Sequence, residues 1–241
     1  MALDVVDLKG FYTSPLGLVA QQMLTRAIQA RWREPHGLAI LGLGFATPYL
    51  EALRRGAGRT LAFMPAEQGV MHWPEAGLSA SALVQTGDMP LRDSAIDRLL
   101  LVHALEVAES PLALLNEIWR VLAPGGRLIA VVPSRRGLWA RLDATPFGQG
   151  QPFSRAQLTG LMREALFTPI HWTEALYFPP VQRRTVLRTA AAWERVGATL
   201  GLPFAGVHVI EATKQVYRPV ASRKRARRFV LAPAPALLPG N

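Results

Sequence analysis

Leu38-Ala39-Ile40-Leu41-Gly42-Leu43-Gly44-Phe45-Ala46-Thr47-Pro48-Tyr49-Leu50-Glu51-Ala52-Leu53 is the stretch on which the fold turns. A short apolar run, Leu38 to Leu41, stops at Gly42 and Gly44, and Pro48 to Leu53 then reads as a helix ending near Gly56 or Gly58. The order is strand, glycine turn, helix. Glycine at such a turn lets a ligand come close to the backbone where a side chain would block it. The helix that follows aims free N–H groups and its positive dipole end at that ligand. In open α/β sheets the binding crevice lies at the carboxyl ends of the strands, where this turn sits. A tight βα turn that holds no ligand would show the same Gly-x-Gly-x-Ala pattern. A dinucleotide-binding turn would carry a third glycine just after Ala46-Thr47, and its absence disfavours NAD.

Working outward, the alternation repeats. Residues 12–32 read as a helical approach in which Ser14-Pro15 is a start signal. Arg59 to Met64 reads as a second buried strand, Ser81 to Gln85 as a short one, and Ile96 to Val102 as a central one that opens with Asp97. Pro111 to Leu122 places apolar residues at helical spacing until Pro124-Gly125-Gly126 breaks it, and Arg127 to Val132 is again an apolar strand. Such β–α alternation argues for a parallel sheet covered on both faces. Beyond Pro133 the spacing predicts a loop over 137–153, a helix capped by Ser154 over 155–166, a strand over Ile170–Phe178, a helix over Val181–Leu200 anchored by Val186, Leu187 and Trp193, and a last strand over Gly206–Tyr217.

One further run is more specific than the glycine turn. Gly87-Asp88-Met89-Pro90-Leu91 leads into Asp97-Arg98-Leu99-Leu100, then His103-Ala104-Leu105-Glu106, and Arg120-Val121-Leu122-Ala123-Pro124-Gly125-Gly126-Arg127. With the glycine turn, this series resembles the class I S-adenosylmethionine-dependent methyltransferases of the type 11, ubiquinone-methyltransferase-like, group. The resemblance covers residues 36–135. It implies a Rossmann-like, doubly wound α/β fold with a mostly parallel seven-stranded sheet, an N-terminal helix and a C-terminal extension.

The resemblance also implies roles. Gly42, Leu43, Gly44 and Phe45 would pass under the methionine part of S-adenosylmethionine. Asp88 would accept from the adenine amine, as a carboxylate does strongly, and Met89 would cover a ring face; for Asp88 the alternative is a turn-forming residue after Gly87. Met64 stands where the second strand meets the cofactor. His103, past the fourth strand, is either a general base and substrate contact or a wall residue, since methyl transfer needs alignment more than a base. Glu106 and Glu109 read as solvent-facing helix residues. The pattern breaks at the end of the second strand, where the family has an Asp or Glu for the ribose hydroxyls and this chain has Met64-Pro65, with Glu67 three residues late. Loss of that contact costs on the order of 1.5–3 kcal/mol unless Glu67 or Gln68 replaces it. Phe147 and Phe153 form either an aromatic lid or a loop pinned by two buried rings, and Tyr12 either closes the cofactor pocket or simply packs.

The chain has 241 residues, no cysteine, and 27 Lys and Arg against 17 Asp and Glu, a net charge of +10. Without thiols, disulfides, thiolate metal sites and a Cys nucleophile are excluded, and no metal site is expected. No apolar run is long enough to span a bilayer and the first residues carry no secretory pattern, so a cytoplasmic location is expected. The methyltransferase domain is expected over residues 1–217. Residues 218–241 form a tail, first basic (Arg218 to Arg228), then apolar and Pro-rich (Phe229 to Pro239). The tail suits a protein partner or self-association. Arg135, Arg136 and the tail arginines fit an acidic substrate or RNA, or merely a solvated surface. The reading is methyl transfer to a small or medium acceptor. Its rivals are a scaffold module of the same fold whose catalysis has decayed, and an RNA methyltransferase.

Overall fold

The computed structural model describes residues 3–33 and 35–216. The predicted tail over 218–241 and the boundary before it lie outside the described residues. Seven strands make one sheet in the order β3-β2-β1-β4-β5-β7-β6. The strands are β1 (Ala39–Gly44), β2 (Arg59–Pro65), β3 (Ser81–Val84), β4 (Ile96–Val102), β5 (Leu122–Pro133), β6 (Phe167–Ala175) and β7 (Val207–Lys214). β1 to β5 run parallel, whereas β7 inserts antiparallel between β5 and β6. The order reverses between β1 and β4, which makes their carboxyl ends the switch point where ligands of such sheets bind.

The sheet is buried on both faces, and strand alternation divides the core. Ile40, Leu100, Val102, Ile129 and Val131 face one side, where they meet α1 (Val5–Thr13), α2 (Pro15–Gln29) and α3 (Thr47–Arg54). Leu41, Leu43, Leu99, Leu101 and Leu128 face the other, against α4 (Pro111–Val121) and α5 (Arg155–Glu164). Period-two side chains with apolar partners on both faces are what a parallel sheet requires. Asp97 contributes at the opposite end of β4, where its carboxylate accepts from the Ala39 N–H at 2.9 Å and fixes the start of β1.

Local chemistry sets the helix ends. Ser14 accepts from the Gly17 N–H and opens α2, Ser110 accepts from Ala113 and opens α4, and Ser154 with Gln157 forms a complete capping box on α5. Each satisfies an N–H that a helix start leaves free. Two features depart from the sequence reading. The approach over residues 12–32 is the end of one helix and the whole of a second, because Asp4 caps an earlier start at Val5. The last helix, α6 (Arg184–Leu200), is not held by Trp193, which is exposed; Ala190 and Gly197 are its buried positions, and Gly197 lies against the Tyr177 ring. A tryptophan there is apolar by type but on the outer face by phase.

Candidate functional site

The glycine turn is where the sequence places it, but its close approaches are to the protein itself. Gly44 has φ +80, and a Cβ there would fall onto the Val102 carbonyl and lie 2.9 Å from the Ala104 Cβ. A Cβ on Gly42 would sit 2.6 Å from Leu50 and 2.8 Å from Ala46. The turn therefore needs glycine for β1–β4 and β1–α3 packing before any ligand is considered. The Phe45 N–H donates to the same Val102 carbonyl at 2.9 Å.

Around this turn lies a buried aromatic and polar cluster. Tyr12 of α1 stacks on Phe45 with centroids 5.4 Å apart. Its hydroxyl pairs with the Tyr49 hydroxyl at 2.8 Å and with His103 Nε2 at 2.9 Å. His103 Nδ1 lies 3.2 Å from Glu106 Oε1. With Nδ1–H donating to that carboxylate, a neutral ring leaves Nε2 to accept from Tyr12. Burial, followed by the neighbouring Tyr49, holds the Tyr12 phenol well above its usual range, so it stays protonated as a donor. His103 itself adopts φ +52 and is fully buried, with Phe147 4.7 Å from its ring centroid. Phe147 and Phe153 are buried, which gives the pinned-loop alternative. Both ring nitrogens of His103 are engaged, which favours the wall reading over a base touching substrate.

A cavity of about 590 Å³ opens beside this cluster at the carboxyl ends of β2, β3 and β4. Pro65, Glu67 and Gln68 line it from the end of β2, Thr86 and Gly87 from beyond β3, and Ala104 and Glu106 from beyond β4. Glu67 reaches it because the chain turns straight after β2, with the Gln68 N–H donating to the Pro65 carbonyl at 2.9 Å. Gln68 is buried; its side-chain amide donates to the His103 carbonyl, and its own carbonyl accepts from Val5 at the head of α1. A second cavity of about 530 Å³ lies on the far side of Phe45 and Tyr12, with Lys9, Trp73 and Arg54 among its walls.

The expected site residues are only partly gathered. Gly42, Leu43, Gly44 and Met64 are buried beneath the turn, Phe45 faces the second cavity, and none of these five lines the first. Met64 Sδ receives the Met71 N–H at 3.4 Å. Asp88 is exposed and belongs to a turn in which its N–H meets the Gln85 carbonyl, while its neighbour Gly87 lines the cavity. Met89 is buried in the core, its N–H donating to Glu117 Oε1 at 2.7 Å. Glu106 is a correction: it is 3 % exposed rather than solvent-facing. Residues 103–109 are not helical, and the Gln151 N–H bonds the Glu106 carbonyl. Its spacing of three from His103 was the one sign of a partnership. Glu109 is exposed as expected, but it lies before α4 rather than in a helix and lines the first cavity.

Residues 41–130 match the family model described as a methyltransferase domain. Over that segment the chain is similar to this methyltransferase family. No curated protein matches the chain by sequence. Among solved structures, the domain resembles an S-adenosylmethionine-dependent methyltransferase of Thermotoga maritima, described as a possible histamine N-methyltransferase. That likeness has a TM-score of 0.59 at 18% identity over 88% of this chain and 96% of that one. It also resembles a methyltransferase in complex with the Haloferax volcanii activator Trm112, with a TM-score of 0.63 at 19% identity over 89% and 100%. A third likeness is the [4+2]-cyclase SpnF, with a TM-score of 0.57 at 22% identity over 80% of each chain. At these identities the structures establish the shared fold, and the cyclase shows that one fold carries more than one chemistry. The first cavity has apolar walls in Pro65, Ala104 and Leu114, and Glu106, which also lines it, has a buried Oε2 without a hydrogen-bond partner.

Proposed function

We propose that the chain transfers a methyl group from S-adenosylmethionine to a small or medium acceptor, and that the adenosine half of the cofactor lies in the cavity at the ends of β2, β3 and β4. The observation that carries this reading is the cavity's place. It lies beside the β1–β4 switch point, with all of its lining but Leu3 and Gly150 in the matched segment, and has a size typical of small-molecule sites. The bound cofactor supplies an electrophilic methyl group, so the protein's part is positioning and water exclusion more than acid–base help. Pro65, Ala104 and Leu114 provide the dry walls; Glu67, Glu106, Gln68 and Thr86 provide the polar contacts. Gln68 holds the His103 carbonyl beside the glycine turn, and this side-chain amide would have to move for the rest of the cofactor to meet Gly42–Phe45. His103 acts by position, joining Tyr12 of the second cavity's lining to Glu106 of the first.

Ala113 tests the proposal. It is exposed on the first turn of α4 yet lines the cavity, so Ala113→Trp blocks the mouth at no cost to the core. The variant should melt as the wild type does and lose S-adenosylmethionine binding in a calorimetric titration. Undiminished binding by a folded Ala113→Trp protein would remove the cofactor from this cavity.

A further inference from the structure

The family acid at the end of the second strand is missing, and three carboxylates line the same cavity. Glu67 comes from beyond β2, and Glu106 and Glu109 from beyond β4. Physical chemistry separates them. Glu67 and Glu109 are exposed, so water already satisfies them, and a ligand hydroxyl gains little by replacing that water. Glu106 is 3 % exposed; one oxygen is held by His103 Nδ1 at 3.2 Å, and the other, buried, has no protein partner. A buried carboxylate oxygen without a donor is costly, and a ligand donor that reaches it recovers that cost. The side chain is also aimed. His103 holds Oε1, and His103 is itself held by Tyr12 and through it by Tyr49. The Glu106 backbone is fixed as well, by the Gln151 N–H on its carbonyl at 2.7 Å and by Gly150, where a Cβ would collide with that same carbonyl region. Five residues therefore hold in place one carboxylate of the cavity's lining, which keeps an unpartnered oxygen.

We propose that Glu106 is the ribose-hydroxyl acceptor of this chain. The acidic contact usually made from the end of the second strand has moved to the loop after the fourth, with His103 as its positioning residue. The proposal rests on the functional reading above. The Tyr49–Tyr12–His103–Glu106 chain then serves recognition rather than proton abstraction, which explains why neither nitrogen of the buried imidazole is left for a substrate.

The test is calorimetric titration of the full chain with S-adenosylhomocysteine and with its 2′,3′-dideoxy analogue, for wild type, Glu106→Gln and Glu67→Gln. Glutamine at 106 keeps the shape and still accepts from His103 Nδ1 through its carbonyl, but turns an NH₂ group toward the hydroxyls. The wild type should bind the homocysteine compound ~10- to 100-fold more tightly than the dideoxy analogue, the range of a charge-assisted hydrogen bond. Glu106→Gln should lose that preference, binding both ligands at the weaker level. Glu67→Gln should keep it, within about threefold of wild type. If the preference survives in Glu106→Gln, or is lost in Glu67→Gln instead, the assignment to Glu106 is overturned and the functional reading stands. If the wild type binds neither ligand, the functional reading itself fails. Should Glu106→Gln not fold, the wild type and Glu67→Gln still decide: no hydroxyl preference, or one that depends on Glu67, overturns the proposal.

Discussion

Alanine at position 44 separates two reasons for the glycine turn. If the glycine existed only to admit a ligand, Gly44→Ala would leave the unliganded protein as stable as before. The structure demands otherwise. The residue sits at φ +80, and a Cβ would meet the Val102 carbonyl and the Ala104 methyl. Left-handed backbone costs a non-glycine residue about 1–2 kcal/mol, and overpacking a tight site costs about 1–3 kcal/mol more. The sum is about 2–5 kcal/mol, and at roughly 2–4 °C per kcal/mol for a chain of this size the melting temperature should fall by about 5–15 °C. The assay is a thermal melt without ligand, with Gly87→Ala beside it. Gly87 lines the cavity, but a Cβ there meets nothing within 4 Å, so its melting point should not move. A Gly44→Ala protein melting within about 2 °C of wild type would refute the packing argument.

Tyr12→Phe removes a hydroxyl that serves both Tyr49 and His103, and leaves two buried polar groups unpaired. It should cost about 1–3 kcal/mol in urea unfolding; an unchanged midpoint would mean the Tyr12–His103 bond does not form in solution. Glu194 of α6 predicts a pH effect. Burial raises its carboxyl to about 6, against the Tyr177 and Leu176 N–H groups that favour the charged form. The folded state thus prefers the protonated acid, a stabilisation fully present below the unfolded pKa and lost as pH rises through about 6. Comparing wild type with Glu194→Gln between about pH 4 and 7 should show about 1–2 kcal/mol of relative loss for the wild type, discounted for partial exposure. Parallel curves would contradict it.

The succession of strands along the chain and the binding end of the sheet were legible because they rest on local signals. Apolar runs, the glycine turn, Asp97 and Pro124-Gly125-Gly126 all fell on β1, β4 and β5 boundaries within a few residues. The buried state of Glu106 was not legible. It depends on the Gly150–Gln151 loop returning from more than forty residues away to bond its carbonyl, which no local period records. Trp193 failed for a related reason: a residue's type does not reveal which face of a helix meets a neighbour. The meaning of Gly42 and Gly44 was legible only in part. Sequence showed that something approaches closely, and the structure showed that Val102, Leu50 and Ala46 do so.

The most direct test of the account is a crystal structure of the chain with S-adenosylhomocysteine. The account predicts the adenosine between Pro65 and Leu114, with a ribose hydroxyl within hydrogen-bond distance of Glu106 and the Gln68 side chain withdrawn from the His103 carbonyl. Ligand seated instead in the cavity beside Trp73 and Lys9, or Glu106 turned away from a bound ribose, would contradict it.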